Sequence, residues 1–471
     1  MKMESVQLAP SPVASSSYND HSDSIVENHM ITYPPTNSVW ETVSRWLPFR
    51  NEDCDFWWQK TGPQLASLLL EAEYSISQQY EALLFHFHTV VPRLGPRPIL
   101  LPSHAAPNPP KWKSFMTDDF GPIEYSWKWD SGAKQSTQVY SGPDVRYGME
   151  PIGRYAGTTL DPLNQASAKE MLYQLNMAVP DIDLTWFLYL ARVLFDPEET
   201  LEVQGEKKTE VTAVRTSTLF AFEFLRDRLS VKCYLIPRKP VHAKDTGSVD
   251  WNQFTTSIRN LSNLNDAQVK TNNWRAFDDM LSYLSTNEAG QRLSIFMIGF
   301  DCVKPSKSRM KIYLRSYMTS FDSVVSIMTM GGKLTGFEKN LSDLKELWRT
   351  TLGLSIDFNT SEDLPLPAHA SSGMCYYFDI QQGNSLPDIK MYIPVGHFGV
   401  SDIGIARALT GFLEARGRGR YTRGYMRALE KLATRDRLEK SCGVQTYIAC
   451  AFEGSGLSLT CYLSPNVYGP E

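Results

Sequence analysis

Short segments in which polar and apolar residues alternate recur along the chain. Arg309–Arg315 is the clearest case, and residues 231–235 and 389–393 repeat its pattern of a lysine followed by a tyrosine two positions later. Because side chains alternate between the two faces of a strand, each segment predicts a strand with cations and tyrosines on one face and aliphatic residues on the other. Such a face suits a ligand that is an anion at one end and a carbocation at the other, as an allylic diphosphate is.

Helical and strand-like periodicities alternate over the rest of the chain. Gly62-Pro63 is predicted to open a helix with Leu65 on its buried stripe, and Ser77 to cap a second helix that runs to about Val91, before Pro92. The remaining predicted helices lie at 168–176, 183–195, 320–329, 341–352, 401–416 and 422–434. Predicted strands lie at 123–129, 145–150, 374–380, 388–394, 445–453 and 457–463, with strand pairs near 213–236 and 293–315.

Strands separated by helices are compatible with a parallel βαβ sheet, but two features favour antiparallel strands. The strands alternate polar and apolar residues, whereas buried parallel strands tend to be continuously apolar. Several strands also pair at hairpin-like spacing, such as the pair broken by Glu453-Gly454-Ser455-Gly456. We therefore expect an α+β protein in which a closed antiparallel barrel, with polar residues facing its lumen, is surrounded by helices.

Composition and charge exclude several function classes. The chain has 471 residues, 42% of them hydrophobic, and a formal net charge of −5, which argues against a general nucleic-acid binder. Seven cysteines without a CxxC pair suit reduced thiols, and no apolar run approaches the ~20 residues of a membrane span. Residues 1–38, rich in Ser, Pro and Asn, are predicted to be a disordered tail, and 39–471 a single domain of a cytoplasmic protein.

Motifs that would assign other chemistry are missing. Asp118-Asp119 does not complete the DDxxD motif that holds magnesium in many terpenoid enzymes, and the chain contains no HExxH, GxSxG or GxGxxG motif. His86 and His88 lie at positions i and i+2 of a predicted helix, where side chains diverge. We therefore expect two histidines on a helix surface and no metal site there.

In order and spacing, several segments together resemble the fungal aromatic prenyltransferases of the dimethylallyltryptophan synthase family. The resemblance extends from about Trp40 to Leu463. It rests on Phe56-Trp57-Trp58 with Thr61-Gly62-Pro63, Pro122-Ile123-Glu124, Val145-Arg146-Tyr147 with Glu150-Pro151-Ile152, Lys232-Cys233-Tyr234, Lys307–Tyr313 and Pro387–Tyr392. It implies a ten-stranded antiparallel barrel whose lumen is the active site. It also implies transfer of a prenyl group from an allylic diphosphate to an electron-rich arene, with no cofactor and without metal for the chemistry.

The resemblance assigns roles to particular residues. Glu124 matches the catalytic glutamate, which accepts a hydrogen bond from an indole N–H and is placed to take the ring proton. The diphosphate-binding positions are Arg146, Lys232, Arg309, Lys311 and Lys390. The tyrosines that shield the allyl cation from water are Tyr234, Tyr313, Tyr392 and Tyr462.

Some positions depart from the family pattern. Leu219 stands where tryptophan-prenylating relatives have a lysine, which makes free tryptophan a doubtful acceptor, and Lys390 replaces an amide that many relatives carry. Glu453 and Ser458 replace an arginine and a tyrosine of some relatives at the diphosphate end. Cys375 lies near a position where a bulky methionine limits prenyl length, so a smaller residue there favours geranyl diphosphate as an additional donor.

Three hypotheses follow from the sequence. The leading one is a metal-independent transfer of a dimethylallyl or geranyl group to an indole-type secondary metabolite, such as an indole diterpene or alkaloid. The second keeps the reaction but makes the acceptor a phenolic polycyclic polyketide such as a xanthone. The third is a non-catalytic barrel that binds an aromatic ligand. Expected partners are the small-molecule acceptor and the diphosphate, with a homodimer as one oligomeric state to test.

Overall fold

A computed structural model describes residues 38–99, 110–129, 142–195, 216–237, 241–245, 248–264, 274–369 and 371–468. The predicted disordered tail lies outside these residues except for Ser38, whose side chain caps the first helix. One compact unit spans Ser38–Glu471. No helix in the described part of the chain is both long enough and apolar enough to cross a lipid bilayer.

Eleven strands are found in the described ranges, and ten of them close into a barrel. They are β1 Ile123–Lys128, β2 Asp144–Met149, β3 Thr218–Phe224, β4 Leu229–Leu235, β5 Val241–His242, β6 Ser294–Asp301, β7 Met310–Ser316, β8 Met374–Ile380, β9 Asp388–Ile393, β10 Gln445–Glu453 and β11 Gly456–Leu463. Neighbours along the chain pair antiparallel, β11 pairs with β1, and β4 pairs with β6 while the two-residue β5 lies at the side. The predicted ten-stranded closed antiparallel barrel is confirmed.

Fourteen α-helices surround the barrel in the part of the chain that is described. They are α1 Val39–Ser44, α2 Glu52–Glu71, α3 Ile76–Phe85, α4 Ala166–Ala178, α5 Thr185–Leu194, α6 Val249–Asn260, α7 Arg275–Thr286, α8 Glu288–Gln291, α9 Phe321–Met328, α10 Glu338–Thr351, α11 Val395–Phe398, α12 Asp402–Glu414, α13 Thr422–Leu432 and α14 Arg435–Lys440. Large side chains on the outer face of the strands, such as Trp127, Phe220 and Tyr125, are fully buried. The Tyr125 hydroxyl also donates to the Thr61 carbonyl at 3.0 Å, which ties β1 to α2.

The start of α2 differs from the prediction. The helix does not open at Gly62-Pro63 but ten residues earlier, where the Asn51 side chain accepts a hydrogen bond from the Cys54 amide. Asp53 and two further acidic residues in the first turn stabilise the helix there, because their negative charges lie at the positive end of the helix dipole. Pro63 lies inside the helix. The N-cap and tertiary packing therefore outweigh the local cost of the proline.

The second predicted helix also differs at its start. Ser75, not Ser77, is the N-cap of α3, because Ser75 and Gln78 form a reciprocal capping box. The helix then passes into a π-turn, His86–Val90. His86 is fully buried and its Nε2 lies 2.7 Å from the Thr61 hydroxyl, so the prediction of a surface histidine was wrong for this residue.

Candidate active site

The cations predicted from the sequence converge at one end of the lumen because their strands are in register. Lys232 lies opposite Asp301, Lys311 lies opposite Asp379, and Tyr377 of β8 lies opposite Lys390. On β2, Arg146 lies opposite Glu223 of β3. Lys232, Lys311 and Lys390 are buried in the barrel interior and Arg146 is partly buried. Arg309, with a side chain 42% exposed, lies at its edge.

Three carboxylates that the sequence analysis did not single out neutralise these cations. Arg146 Nη1 lies 2.7 Å from Glu223 Oε1, and Lys232 donates to the same oxygen. Arg309 bridges two strands, with its Nε 3.0 Å from Asp301 and its Nη1 3.0 Å from Asp379. Burial alone would raise the pKa of Glu223, but Arg146 and Lys232 outweigh it and hold that pKa well below its usual range.

Two lysines in this end of the lumen lack such a close carboxylate among the described residues. Burial lowers the pKa of Lys311 to about 7, assisted by the positive charges of Lys232 and Arg309. Burial also lowers the pKa of Lys390 to about 7, with Arg146 as the next cause. Lys390 Nζ donates a hydrogen bond to Thr460 at 3.4 Å. Both ammonium groups would gain from a bound anion.

Below the cations, tyrosine rings form a continuous layer. Tyr234, Tyr313, Tyr392 and Tyr462 follow one another with centroid separations of 5.8, 6.1 and 5.5 Å. Tyr377, which the sequence analysis missed, lies 5.2 Å from Tyr313 and has the Lys311 ammonium 5.4 Å from its centroid. The layer therefore lies next to the cationic end of the lumen.

Glu124 is a buried carboxyl group on the other side of this layer. The residue is 6% exposed, and the Thr446 hydroxyl donates a hydrogen bond of 2.6 Å to its Oε1. Burial raises the pKa of Glu124 to about 8; the Thr446 hydrogen bond opposes this, and the negative charges of Asp118 and Asp119 add to it. A carboxyl with such a pKa can both accept and return a proton near neutral pH.

A cavity adjoins Glu124, with an empty volume of about 1060 Å³ that includes space open to solvent. Leu219 and Cys375, the two departures near the predicted substrates, both line this cavity. The other departures lie on the last hairpin: Glu453 is half-buried at its tip, opposite Gly456, and Ser458 is buried opposite Ala451.

Two β-bulges shape the cavity. The register shifts in β6 between Ile295 and Met297 and in β10 between Gln445 and Ile448. At each shift two consecutive residues line the cavity: Phe296 with Met297, and Thr446 with Tyr447. The sequence analysis identified none of these four residues, because it assumed unbroken alternation.

One group of side chains in the described ranges could hold a metal ion, namely Asp118, His369 and His397. It lies on loops and on α11, and Asp118 also lines the cavity that adjoins Glu124. The predicted absence of a metal at His86 and His88 concerns a different place. His86 contacts Thr61 and Tyr147, and His88 contacts Arg50, so the structure does not bring these two histidines to a shared ligand position.

Comparison with known proteins decides the family. A family model described as tryptophan dimethylallyltransferase matches residues 53–428, well over half of the chain. The chain belongs to this family. It is thus an aromatic prenyltransferase, and the non-catalytic hypothesis is set aside.

Relatives of this prenyltransferase include proteins named for an acceptor other than tryptophan. It is 37% identical over 455 residues to prenyltransferase GME11375 of Pestalotiopsis microspora. The aligned region covers 92% of this chain and 93% of that protein. It is 36% identical over 451 residues to xanthone prenyltransferase B of Emericella nidulans, with 92% of each chain covered. The crystal structure of NotF in complex with brevianamide F and DMSPP has a TM-score of 0.72 at 22% identity, covering 91% of this chain and 99% of that chain. This last similarity supports the fold.

Proposed function

We propose that the enzyme transfers a dimethylallyl group from dimethylallyl diphosphate to a ring carbon of a phenolic polycycle, of which a xanthone is the model acceptor. The C1–O bond of the donor breaks, a C–C bond to the arene forms, diphosphate leaves, and the ring proton passes to a base. The observation that carries the proposal is the layered lumen: cations at one end, tyrosine rings in the middle and a carboxyl group at the other end. Each layer meets one part of that reaction.

The cationic layer would receive the diphosphate. Lys311 and Lys390 have no carboxylate within ion-pair distance in the described structure, so a diphosphate adds contacts to them without breaking existing ones. Arg146, Lys232 and Arg309 would instead exchange or share their carboxylate partners with diphosphate oxygens. Fixed ammonium and guanidinium groups can neutralise the leaving group during ionisation, the task that a metal ion has in other enzymes. We therefore propose that ionisation needs no metal.

The tyrosine layer would hold the allyl cation. Aromatic faces attract a cation through their quadrupole, and rings spaced at 5.5 to 6.1 Å leave no room for water between them. We extend the predicted set of four by Tyr377, because its ring contacts Tyr313 and lies beside Lys311. This layer would deliver the cation to the acceptor before water can quench it.

Glu124 would act on the acceptor. When ionised, its carboxylate can take the proton of a phenol and make the ring more nucleophilic, and it can take the ring proton when aromaticity is restored. Leu219, Phe296 and Met297 give the cavity apolar walls that suit a polycycle. Leu219 lies at the position of the lysine that tryptophan-prenylating relatives carry, so Glu124 is the base that we assign.

The choice of a phenolic acceptor rests on the relatives. Two relatives that are named as xanthone prenyltransferases are 36% and 34% identical to this chain over 92% of its length. The indole preference drawn from the sequence keeps its support in the family description, which specifies tryptophan. We favour the phenol because those relatives match at higher identity, over nearly the whole chain, than the solved structures do.

The experiment is product analysis by mass spectrometry with purified enzyme in EDTA. Dimethylallyl or geranyl diphosphate would be offered with polyhydroxyxanthones, simpler phenols, tryptophan and indole diterpenes. We expect a xanthone product heavier by one dimethylallyl unit, at a rate that the chelator does not change. Turnover of indoles alone would overturn the acceptor proposal. Loss of turnover in EDTA, restored by magnesium, would overturn the metal-independent ionisation.

A further inference from the structure

Asp118, His369 and His397 come from three distant parts of the chain and meet beside the cavity. Asp118 precedes β1, His369 lies in the loop before β8, and His397 is on α11. His397 Nε2 lies 2.6 Å from Asp118 Oδ2, and His369 Nδ1 lies 3.6 Å from Asp118 Oδ1. One ligand atom from each residue lies within 4.8 Å of the other two. A small ion placed among them could contact all three residues after modest movements of the side chains.

The surroundings of this trio combine order with access. The Ser371 hydroxyl lies 2.7 Å from His369 Nδ1 and donates to Asp118 Oδ1 at 2.6 Å, so it occupies the space between these two residues. The His397 side chain is 10% exposed, and its Nδ1 is buried without a hydrogen-bond partner among the described residues. The side chains of Asp118 and His369 are 39% and 33% exposed. Solutes can therefore reach the trio, although His397 is held in place.

The donor set selects a class of ion. Two imidazole nitrogens and one carboxylate oxygen suit Zn²⁺, Co²⁺ and Ni²⁺, whereas Mg²⁺ and Ca²⁺ prefer oxygen ligands throughout. Three protein ligands leave at least one coordination position open. Asp118 and Ser371 both line the cavity next to Glu124, so that open position would lie at the cavity and not in the protein core.

We propose that Asp118, His369 and His397 bind one divalent transition-metal ion of the zinc class at the mouth of the acceptor cavity. Binding displaces the Ser371 hydroxyl from between the ligands. This site is separate from the diphosphate cations, and the proposal is independent of which acceptor the enzyme prenylates. It also goes beyond the proposed function, in which ionisation itself uses no metal.

The main competing explanation is a purely structural cluster. The same hydrogen bonds connect the segment before β1 to the loop before β8 and to α11, which would order the mouth of the cavity without any ion. The two explanations differ in their requirement for histidine. Hydrogen bonds can be restored by glutamine or asparagine, but a zinc-class site loses affinity when an imidazole is replaced by an amide.

The test uses the full-length protein, stripped of metal by a chelator and then dialysed. Co²⁺ would be titrated while the visible absorption of the bound ion is recorded, and Zn²⁺ affinity would be measured by competition with a chromogenic chelator. We expect one tightly bound ion per chain. Zn²⁺ affinity should fall at least about tenfold in His397→Gln and in His369→Gln. It should be unchanged in His242→Gln, because that histidine is exposed on β5 and is not one of the proposed ligands.

Each outcome decides the proposal. No bound Co²⁺ in the wild-type protein, or equal binding in all four proteins, would overturn it in favour of the structural cluster. Thermal unfolding of each variant and its binding of dimethylallyl diphosphate would show that the fold is intact. Because absorption reports the bound ion directly, the result is independent of whether a given acceptor is prenylated. An adventitious ion would not follow the proposed ligands: either all four proteins would retain it equally, or the His242→Gln control would also lose it.

Discussion

Replacement of Glu124 by glutamine tests the chemistry of the acceptor side. If the carboxylate is the acting form and its pKa is about 8, it is ionised in about one-tenth of molecules at pH 7 and about nine-tenths at pH 9. The rate constant kcat should therefore rise about tenfold over this interval in the wild-type enzyme. Glu124→Gln should lower kcat by about 10²- to 10⁴-fold, the usual contribution of a general base, and should remove this rise.

Thr446→Val gives an independent check through the same group. The Thr446 hydroxyl donates to Glu124 Oε1 at 2.6 Å and lowers the pKa of the carboxyl. Losing a hydrogen bond to a charged group costs about 1.5–3 kcal/mol, or roughly one to two pKa units. The rising limb of the pH profile should therefore move by that amount to higher pH, while kcat at its plateau stays close to the wild-type value.

The assay is steady-state kinetics at saturating concentrations of both substrates between pH 6 and pH 10, with product measured by chromatography. Ionisation of the acceptor is controlled by using two phenols of different acidity. A limb that follows the acidity of the phenol and is retained in Glu124→Gln would refute the assignment of Glu124 as base. A limb that moves to lower pH in Thr446→Val would refute the role given to this hydrogen bond. Donor affinity serves as the control, because in the described structure Glu124 bonds to Thr446 and the cations pair with other carboxylates.

Three further outcomes are expected. Lys311→Ala should weaken binding of dimethylallyl diphosphate by about 1.5–3 kcal/mol, roughly ten- to a hundredfold in Kd. Lys307→Ala, at an exposed lysine, should leave this affinity unchanged, and calorimetry measures both variants. Wild-type affinity for diphosphate should fall as pH rises above about 7, because Lys311 and Lys390 have pKa values of about 7 and only their protonated forms attract the anion; a flat profile would contradict this. Gly299→Ala places a Cβ 2.7 Å from the Tyr234 ring, so the tyrosine layer must shift and the fraction of donor lost to hydrolysis should increase over wild type. An unchanged ratio of prenyl alcohol to prenylated product would show that the layer does not exclude water.

The sequence predicted those parts of the fold and site that depend on local periodicity. Lys311 and Tyr313 share a face because they are two residues apart, and the same rule places Lys232 with Tyr234. The starts of α2 and α3 were displaced, since capping at Asn51 and Ser75 determines them more strongly than the proline or the later serine. Periodicity identifies a helix better than it locates its first residue.

Contacts between strands could not be predicted from one segment at a time. Glu223, Asp301 and Asp379 appear in the sequence as ordinary polar strand residues, and only the register across β2, β3, β4, β6, β7 and β8 sets them against the cations. The hydrogen bond between Asp118 and His397 spans 279 residues, so no spacing rule would suggest it. Tyr377 was within reach of prediction, because it shares the alternating pattern of β8 with Cys375.

The two bulges distinguish parts of the barrel in which side-chain substitutions have different consequences. The donor groups are on regular strands, where each position faces the lumen by alternation and a shifted register would turn a whole row of side chains outward. Phe296, Met297, Thr446 and Tyr447 are at interruptions of the ladder, and their orientation is fixed locally. Substitutions at these four positions can therefore reshape the acceptor cavity without changing the strand register that brings the lumen cations together. The same set of donor-binding strands can in this way serve enzymes that prenylate different aromatic acceptors.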